Sequence, residues 1–402
     1  MIRPATARRG IAGAFGMVAL VSCTTMTSSA GNSLHASLLT LDTHLDTPVH
    51  FSRAGWSFGD RHDYASDLAQ LDIPRMVDGN LDGGFFVIFT AQGPLTAQGY
   101  AAARDFALHR SGEIDTTMAR FAARIGLART ANDARRLDAA GKLIAFKSIE
   151  NSYPLGEDLS LLGEFYRLGV RLAGPVHSSN NQFADSSTDT PRWNGLSPLG
   201  VRWVAEMNRL GMVIDASHAS DAAFDQMLSL SKTPLLLSHS GSRAVFDHPR
   251  NIDDARIRKL AAAGGAICFT TIYLSDLTMT PERSELFGKH DQIGRMSPPA
   301  QVDLTLRTRA LDARQPMWSA DFGAYMAGLL HVIKVAGVDH VCFGADWDGG
   351  GGIAGLDDIT GHPKITAALK AAGYSDADLA KMWSGNVLRI LSAAENYASA
   401  RH

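Results

Sequence analysis

The amino-acid sequence predicts an α/β protein built as a (β/α)8 barrel with insertions. Short apolar runs alternate along the chain with segments of helical periodicity, which is the pattern of parallel strands joined by crossover helices. Eight such runs can be counted, and eight β-α units close a barrel of the TIM type. The body of the chain lacks a strong linker, so we expect one domain over residues 37–395.

The predicted strands follow one another at short intervals, with two longer interruptions. They lie at 38–47, 83–91, 142–150, 170–177, 211–218, 234–240, 264–272 and 340–348. Several helical segments between them end in the Gly expected just past a helix C-terminus. We interpret 92–141 as an insertion after the second strand, and 281–320 as helical or loop decoration over the last strands.

The N-terminus differs from the body of the chain. Three arginines precede a short apolar stretch that is too short for a membrane span, so residues 1–22 are predicted to be a signal peptide. The sequence "LVSC" resembles the bacterial lipobox, which makes Cys23 the candidate lipid anchor, followed by a flexible linker over 23–36. Plain cleavage near 28–30 is the alternative. Either way we expect an exported protein, periplasmic or held at the membrane of a bacterium as a lipoprotein, with no other membrane contact.

The charge balance and the cysteines indicate which binding partners and which disulfides to expect. The chain has 38 basic and 41 acidic residues and no long run of one sign, which disfavours a nucleic-acid partner. Cys268 and Cys342 each lie inside an apolar run. They are interpreted as small buried core residues, so the fold is not expected to depend on disulfides.

Polar residues of the kind that bind metals stand at the ends of six of the eight runs. They are His44 with Asp46, Glu150, His177, His218, His239 and Asp346. Chemistry in such barrels takes place at the C-terminal ends of the strands, because those ends meet around one mouth. Any one of these residues could be a capped turn or a core histidine. Six runs ending alike indicate a common site.

These donors suit a pair of zinc-like ions better than a single ion. His44, Asp46, His218 and His239 would overfill one tetrahedral site, and Glu150 could bridge two ions. Two such ions share a hydroxide and polarise a carbonyl group, which is hydrolytic chemistry. We find no G-x-S-x-G elbow and no Gly-rich phosphate loop after the first strand, and "ADWDGGGG" at 345–352 is only a weak candidate for one.

The motifs that contain these residues resemble those of a known family. "DTHLDTP", "GVRLAGPVHSSNN", "GLSPLGVRWVAEMNRLGMVIDASH", "SHSGSRAVFDHPRN" and "GVDHVCFGADWDG" are similar to segments of the membrane (renal-type) dipeptidases, zinc peptidases of the amidohydrolase superfamily. The similarity extends from about residue 40 to 392. It implies a homodimeric enzyme that holds two Zn²⁺ per chain and hydrolyses dipeptides with a metal-bridging hydroxide.

The resemblance also implies a role for each residue. His44, Asp46 and Glu150 would hold one zinc ion, and Glu150, His218 and His239 the other. His177 would contact the scissile carbonyl oxygen, Arg250 the terminal carboxylate of the substrate, and Asp346 would carry the proton from water to the leaving amine. The catalytic set is therefore Asp346, His177 and Glu150, with His177 and Arg250 binding substrate.

Alternatives remain at three of these positions. Asp348 is the second candidate for the proton carrier, Arg250 could instead pair with Asp253 or Asp254, and His177 could hydrogen-bond a metal ligand. Tyr273 is a possible substrate contact that we leave out of the predicted site.

Two other functions stay open. One is an amidohydrolase that acts on N-acyl amino acids or cyclic amides. The other is a non-catalytic lipoprotein that binds a ligand in the barrel mouth.

Overall fold

The structure is a computed structural model, and it describes residues 34–401. The predicted signal peptide, the predicted lipid anchor Cys23 and most of the predicted linker lie outside the described residues. They therefore stay predictions.

Parallel strands form the centre of the described chain. The strands are β1 (Leu41–Leu45), β2 (Gly83–Phe89), β3 (Ile125–Leu127), β4 (Leu143–Glu150), β5 (Val170–Ala173), β6 (Val213–Ile214), β7 (Leu236–Ser240), β8 (Ala266–Phe269) and β9 (Val341–Phe343). All eight predicted runs contain one of these strands. The strand that the sequence did not predict is β3, which has only three residues and lies inside the predicted insertion.

The strands form a curled parallel sheet in two sections. One section has the order β1-β2-β4-β5-β6, with β3 paired to the start of β4, and the other has the order β7-β8-β9. Isolated parallel bridges join Asp215 to Leu236 and Leu45 to Trp347 between the sections. The expected mixed α/β architecture with parallel strands is confirmed, whereas within residues 34–401 no continuous ladder runs around a full eight-stranded barrel.

Helices connect the strands and cover the sheet. They are α1 (Ile73–Asp78), α2 (Ala97–Arg120), α3 (Ala131–Ala139), α4 (Ser160–Arg167), α5 (Pro198–Leu210), α6 (Asp221–Leu230), α7 (Asp254–Ala262), α8 (Pro281–His290), α9 (Pro298–Arg314), α10 (Phe322–Ala336), α11 (His362–Ala371), α12 (Asp376–Ala380) and α13 (Asn386–Ser399). None of the helices within 34–401 has both the length and the apolar character needed to cross a membrane.

Local sequence explains where these helices begin and end, as α5 illustrates. The Ser197 side chain accepts a hydrogen bond from the Gly200 backbone N–H, and Pro198 occupies the first turn, where a missing N–H has no cost. Gly211 ends the helix in the left-handed conformation at φ 75°, which a residue without a Cβ adopts readily. The predicted insertion contains α2, β3 and α3, and the predicted decoration contains α8 and α9.

The cysteines correct one expectation. Cys268 of β8 and Cys342 of β9 are fully buried, as predicted, but they form a disulfide. The two residues are register partners on neighbouring parallel strands, which holds their Cα atoms 4.0 Å apart. The interpretation of the two cysteines as core residues outside any disulfide was therefore wrong, because a separation of 74 residues in sequence gives no sign of this pairing.

Candidate metal centre and active site

The C-terminal ends of the strands deliver the predicted donors to one place. His44 lies near the end of β1, Glu150 is the last residue of β4, and His239 is the penultimate residue of β7. His218 and Asp346 lie in the turns that follow β6 and β9. The strands are parallel, so these ends lie at the same edge of the curled sheet, and residues far apart in sequence become neighbours.

Glu150 lies at the centre of this group. Its Oε1 atom is 2.8 Å from His218 Nε2 and 3.4 Å from His239 Nε2. Its Oε2 atom is 3.4 Å from His44 Nε2. One carboxylate therefore contacts imidazoles from three different strand ends, and its two oxygens face different histidines.

A second set of carboxylates surrounds His44. Its Nε2 atom is 3.3 Å from Asp46 Oδ2 and 3.8 Å from Asp346 Oδ1. His177 lies on the opposite side of Glu150, with its Nε2 atom 3.6 Å from Oε1. The predicted metal ligands, His177 and Asp346 thus form one continuous cluster.

The backbone is unusual at the turns that present these groups. His218 and Asp346 both have φ near 66°, a conformation that costs free energy in residues with a side chain. Tyr273, at the mouth of the same site, has φ 52°. Strain of this kind persists where surrounding structure enforces it, and here it occurs where side chains turn toward the cluster.

A hydrogen-bonded relay behind His239 sets the orientation of its ring. Asp215 accepts hydrogen bonds from the backbone N–H groups of Ser217 and Ser238 and from the Ser238 hydroxyl. Because a carboxylate cannot donate, the Ser238 oxygen is left to accept from His239 Nδ1, 2.7 Å away. This assigns the proton to Nδ1 and leaves the lone pair of Nε2 facing the cluster. Neither Asp215 nor Ser238 was among the predicted site residues, although both lie on predicted strands that end in ligands.

Asp42 supports the other side of the cluster in a similar way. Its carboxylate accepts hydrogen bonds from the backbone N–H groups of His44, at 2.8 Å, and Ala345, at 3.1 Å. It thereby joins the end of β1 to the turn that carries Asp346. The side chain is fully buried, and its role is to hold the backbone.

Burial and mutual charge shift the pKa values strongly. Burial opposes ionisation of Glu150, but the charges of His44 and His177 prevail and hold its pKa well below the usual range. Burial raises the pKa of Asp346 well above its ordinary value. The charge of His44 lowers this pKa, but the negative charges of Asp46 and Glu150 raise it further. For His44, burial lowers the pKa, but the Glu150 and Asp46 carboxylates reverse this and raise it well above its ordinary value.

The chemistry of these donors fits metal ions. Burial lowers the pKa of His218 and of His239 well below its ordinary value, so both rings are neutral, as metal ligands must be. His44, whose pKa the carboxylates raise, would lose its proton to bind a cation. His44 Nε2 is buried and makes no hydrogen bond within the described chain. Groups of three donors lie within 4.8 Å of one another, and they are His44, Glu150 and His239; Glu150, His177 and His218; and His44, Asp46 and Asp346. Imidazole nitrogens and carboxylate oxygens that face one another at such distances are suited to hold cations between them.

A large cavity opens onto the cluster. It has a volume of about 890 Å³, and Asp46, Glu150, His177, His218 and Asp346 line its floor. Two walls rise from the segments predicted as insertion and decoration. Their lining residues include Ala103, Phe106, Arg110, Phe287, Met317 and Trp318. The volume lies in the upper part of the range, roughly 300–1,000 Å³, that is typical of small-molecule sites.

Asp348, the second candidate for the proton carrier, is engaged elsewhere. Its carboxylate accepts hydrogen bonds from the Thr47 hydroxyl and the Gln70 backbone N–H, both at 2.6 Å, and lies 3.4 Å from His50 Nε2. Although burial opposes ionisation, His50 and these hydrogen bonds hold the pKa of Asp348 below its ordinary value. The structure thus places Asp346, and not Asp348, beside the histidine cluster.

Arg250 is buried beside the ligands rather than on the cavity wall. Its guanidinium donates to the His239 carbonyl oxygen at 3.0 Å and to Ser240 Oγ at 3.3 Å. Its Nε–H has no hydrogen-bond partner within the described chain. The alternative of a salt bridge does not occur, because Asp253 pairs with Arg256 and Arg243, and Asp254 pairs with His331 and Arg258.

Comparison with known proteins identifies the family. The family model for membrane dipeptidases, peptidase family M19, matches residues 29–402. The chain belongs to the membrane dipeptidase family. Dipeptidase tcpJ of Claviceps purpurea is 30% identical over 364 residues, which cover 88% of this chain and 76% of that protein.

Solved structures agree with this assignment to the membrane dipeptidases. The probable dipeptidase PvdM from Pseudomonas aeruginosa is 29% identical, covers 93% of this chain and 100% of its own, and superimposes with a TM-score of 0.79. A metallopeptidase from Rhodobacter sphaeroides, liganded with a phosphinate mimic of L-Ala-D-Ala, is 25% identical with a TM-score of 0.70, covering 89% of this chain and 99% of its own. The family resemblance predicted from the motifs is confirmed, and the chain is a metal-dependent dipeptidase.

Proposed function

We propose that this membrane dipeptidase holds two zinc ions per chain and uses them to hydrolyse the peptide bond of dipeptides. His44, Asp46 and Glu150 would hold one ion, and Glu150, His218 and His239 the other. The observation that carries this proposal is the position of Glu150, whose two oxygens face different histidines. A carboxylate so placed suits a bridge between two ions better than a ligand to one.

The remaining residues would bind substrate and move its proton. When bound, the zinc pair activates water as the nucleophile and polarises the scissile carbonyl group. His177, on the cavity floor beside Glu150, would donate a hydrogen bond to the carbonyl oxygen. Asp346 would receive a proton from the water and return it to the leaving amine. Arg250 would reach the terminal carboxylate by turning its guanidinium away from the His239 carbonyl oxygen and toward the cavity.

We also propose that the two sheet sections are parts of one closed (β/α)8 barrel. One buried cluster contains apolar residues from eight strands and from α13, as expected for a filled barrel interior. The isolated bridges from Asp215 to Leu236 and from Leu45 to Trp347 lie where the two sections meet. The short β3 is the strand outside this ring.

Export to an oxidising compartment is part of the proposal. The buried disulfide between Cys268 and Cys342 is of a kind that persists outside the reducing cytosol, and it supports the predicted signal peptide. The lipid anchor at Cys23 and the homodimer stay predictions. Mass spectrometry of the membrane-extracted protein would detect a diacylglyceryl group on Cys23, and light scattering would give the oligomeric state.

A turnover panel tests the proposed function. Purified enzyme should hydrolyse L,L or L,D dipeptides, lose this activity with a chelator and regain it with zinc, and contain about two zinc ions per chain. Glu150→Gln should lower the zinc content below one per chain, because both ion sites lose a ligand. Hydrolysis of N-acyl amino acids or cyclic amides in preference to dipeptides would support the alternative amidohydrolase. Failure to bind zinc after supplementation would contradict the proposal and favour a non-catalytic ligand-binding lipoprotein.

A further inference from the structure

The glycine tract at 349–352, which follows Asp346, lies directly against the carboxylates of the candidate active site. A Cβ added to Gly349 would collide with Oδ2 of Asp46 and with Oδ1 of Asp346. A Cβ added to Gly351 would collide with the carbonyl oxygens of Ala345 and Asp346. Only residues without a side chain allow the backbone to approach so closely. The tract that the sequence offered as a weak candidate for a phosphate loop therefore forms a wall around Asp346.

The backbone around Asp346 folds into a closed turn. The Asp346 carbonyl oxygen accepts hydrogen bonds from the backbone N–H groups of Gly349, at 3.2 Å, and Gly351, at 2.8 Å. Asp346 and Asp348 have φ values of 66° and 67°, a conformation that residues with a side chain keep only where surrounding structure enforces it. Consecutive glycines can adopt many conformations, so the tract alone does not enforce this one. Contacts from outside the turn must hold it.

Gln70 makes such contacts with its backbone and with its side chain. Its backbone N–H donates to Asp348 Oδ1 at 2.6 Å, and its Oε1 atom accepts from the Asp348 backbone N–H at 2.7 Å. Its Nε2 atom donates to the carbonyl oxygens of Gly351, at 2.8 Å, and Asp357, at 3.0 Å. Gln70 is buried, so water competes little for these hydrogen bonds. One amide group thus holds the turn at two points that lie after Asp346.

Two other residues hold the glycine tract at one point each. The Trp318 indole N–H donates to the Gly350 carbonyl oxygen at 2.9 Å, and the Thr271 hydroxyl accepts from the Gly352 backbone N–H at 2.9 Å. Neither of these hydrogen bonds reaches Asp348, so the attachment of both positions depends on Gln70.

We propose that Gln70 is a positioning residue for Asp346, which it holds in place through Asp348 and the glycine tract. This inference rests on the proposed dipeptidase function, in which the Asp346 carboxylate carries a proton from water to the leaving amine. That transfer requires hydrogen-bond distances, and a displacement of about 1 Å can lower the rate about 100-fold. Gln70 does not line the active-site cavity, so its effect on the reaction passes through Asp346 and not through contact with substrate.

The first test replaces Gln70 with Met, which has a similar length but forms none of the side-chain hydrogen bonds. With the dipeptide that wild-type enzyme hydrolyses fastest, Gln70→Met should lower kcat by roughly 10- to 100-fold and leave KM nearly unchanged. Zinc content should equal that of the wild type, because no predicted metal ligand is altered. Gln70→Asn keeps the amide on a side chain one methylene shorter, so it should cause a smaller fall in kcat, and it serves if Gln70→Met does not fold.

A double-mutant cycle asks whether Gln70 acts through Asp346. Independent effects multiply, whereas the effects of residues that act as a unit do not. In the Asp346→Asn background, where the proton carrier is absent, Gln70→Met should lower the residual kcat by no more than about twofold. A residue with a merely structural role would lower kcat by the same factor in both backgrounds.

Gln226 of α6 offers a matched control. Its Oε1 atom accepts from the Leu196 backbone N–H at 2.8 Å and its Nε2 atom donates to the Asn194 carbonyl oxygen at 3.0 Å, so it also holds a loop through both amide atoms. It does not line the active-site cavity, and Gln226→Met should keep the wild-type kcat.

The outcomes separate this inference from the proposed function. If wild-type enzyme hydrolyses dipeptides but Gln70→Met keeps its kcat, loses zinc, or lowers kcat equally in both backgrounds, the inference is wrong and the dipeptidase function stands. If wild-type enzyme hydrolyses no dipeptide, the proposed function is wrong, and the inference fails with it.

Discussion

Replacing Ser238 is a specific test of the metal centre, because its hydroxyl group orients a predicted zinc ligand without binding substrate or a predicted ion itself. Its oxygen accepts a hydrogen bond from His239 Nδ1–H at 2.7 Å, and its own O–H donates a hydrogen bond to Asp215. Ser238→Ala would leave that Nδ1–H buried without an acceptor, since Ser238 is fully buried. The ring could then turn, or move its proton to Nε2, and either change weakens a metal ligand.

The size of the effect can be worked out from this geometry. An unsatisfied buried donor costs about 1–3 kcal/mol, and loss of a hydrogen bond behind a ligating histidine weakens metal binding about 10- to 100-fold. A factor of ten corresponds to about 1.4 kcal/mol, so the two ranges agree. We therefore expect Ser238→Ala to weaken the zinc site that contains His239 by one to two orders of magnitude.

Competition with a chromophoric chelator measures the affinity of the enzyme for each of the two zinc ions. Ser148→Ala is the matched control, because Ser148 of β4 is also a buried serine but its hydroxyl has no hydrogen-bond partner in the described chain. Ser238→Ala should lose affinity chiefly for the zinc ion held by His239, because the contact of Ser238 with Nδ1 of His44 is much longer, at 3.5 Å. Ser148→Ala should keep the affinity for both ions. Equal zinc affinities in the two variants would refute the assignment of the His239 tautomer and the role of the relay.

Three further outcomes are expected. Replacing both Cys268 and Cys342 with Ala should lower the free energy of unfolding by about 4 kcal/mol, because the bridge closes a loop across 74 positions; urea unfolding that matches the wild type would contradict this. Burial lowers the pKa of His35 to about 4, so between that value and the ordinary value near 6.5 the unfolded chain binds a proton that the folded chain does not. His35 alone should therefore lower the stability by up to about 2 kcal/mol between pH 7 and pH 5, and His35→Gln should show a shallower fall in urea unfolding at the two pH values. Arg250→Ala should raise KM for dipeptides about 10-fold or more with a smaller change in kcat, and a variant with normal KM would remove Arg250 from the substrate site.

Much of the architecture follows from local patterns in the sequence. Each predicted run contains a strand because apolar stretches of that length, bounded by turn residues, favour parallel buried strands. The strand β3 escaped prediction because three residues carry no periodicity. The ligand candidates were found by their position after the runs, since parallel strands deliver their C-terminal ends to one edge whatever their separation in sequence.

The same reasoning could not rank residues that share a strand end. Asp346 and Asp348 are two positions apart, and both follow the last predicted strand. Thr47 and Gln70 donate hydrogen bonds to Asp348, whereas Asp346 lies beside His44. Asp215 went unnoticed because its function depends on Ser238, which comes from the next strand.

The sequence by itself determined the family, the succession of strands and helices, and the residues that end the strands near the metal centre. These features depend on periodicity and residue type, which act over a few neighbouring positions. Only the tertiary structure decided the disulfide between Cys268 and Cys342, the relay behind His239, and the cavity walls formed by the insertion and the decoration. Each of these depends on the register between strands or on the packing of an insertion, where contacts join residues whose separation along the chain carries no local signal.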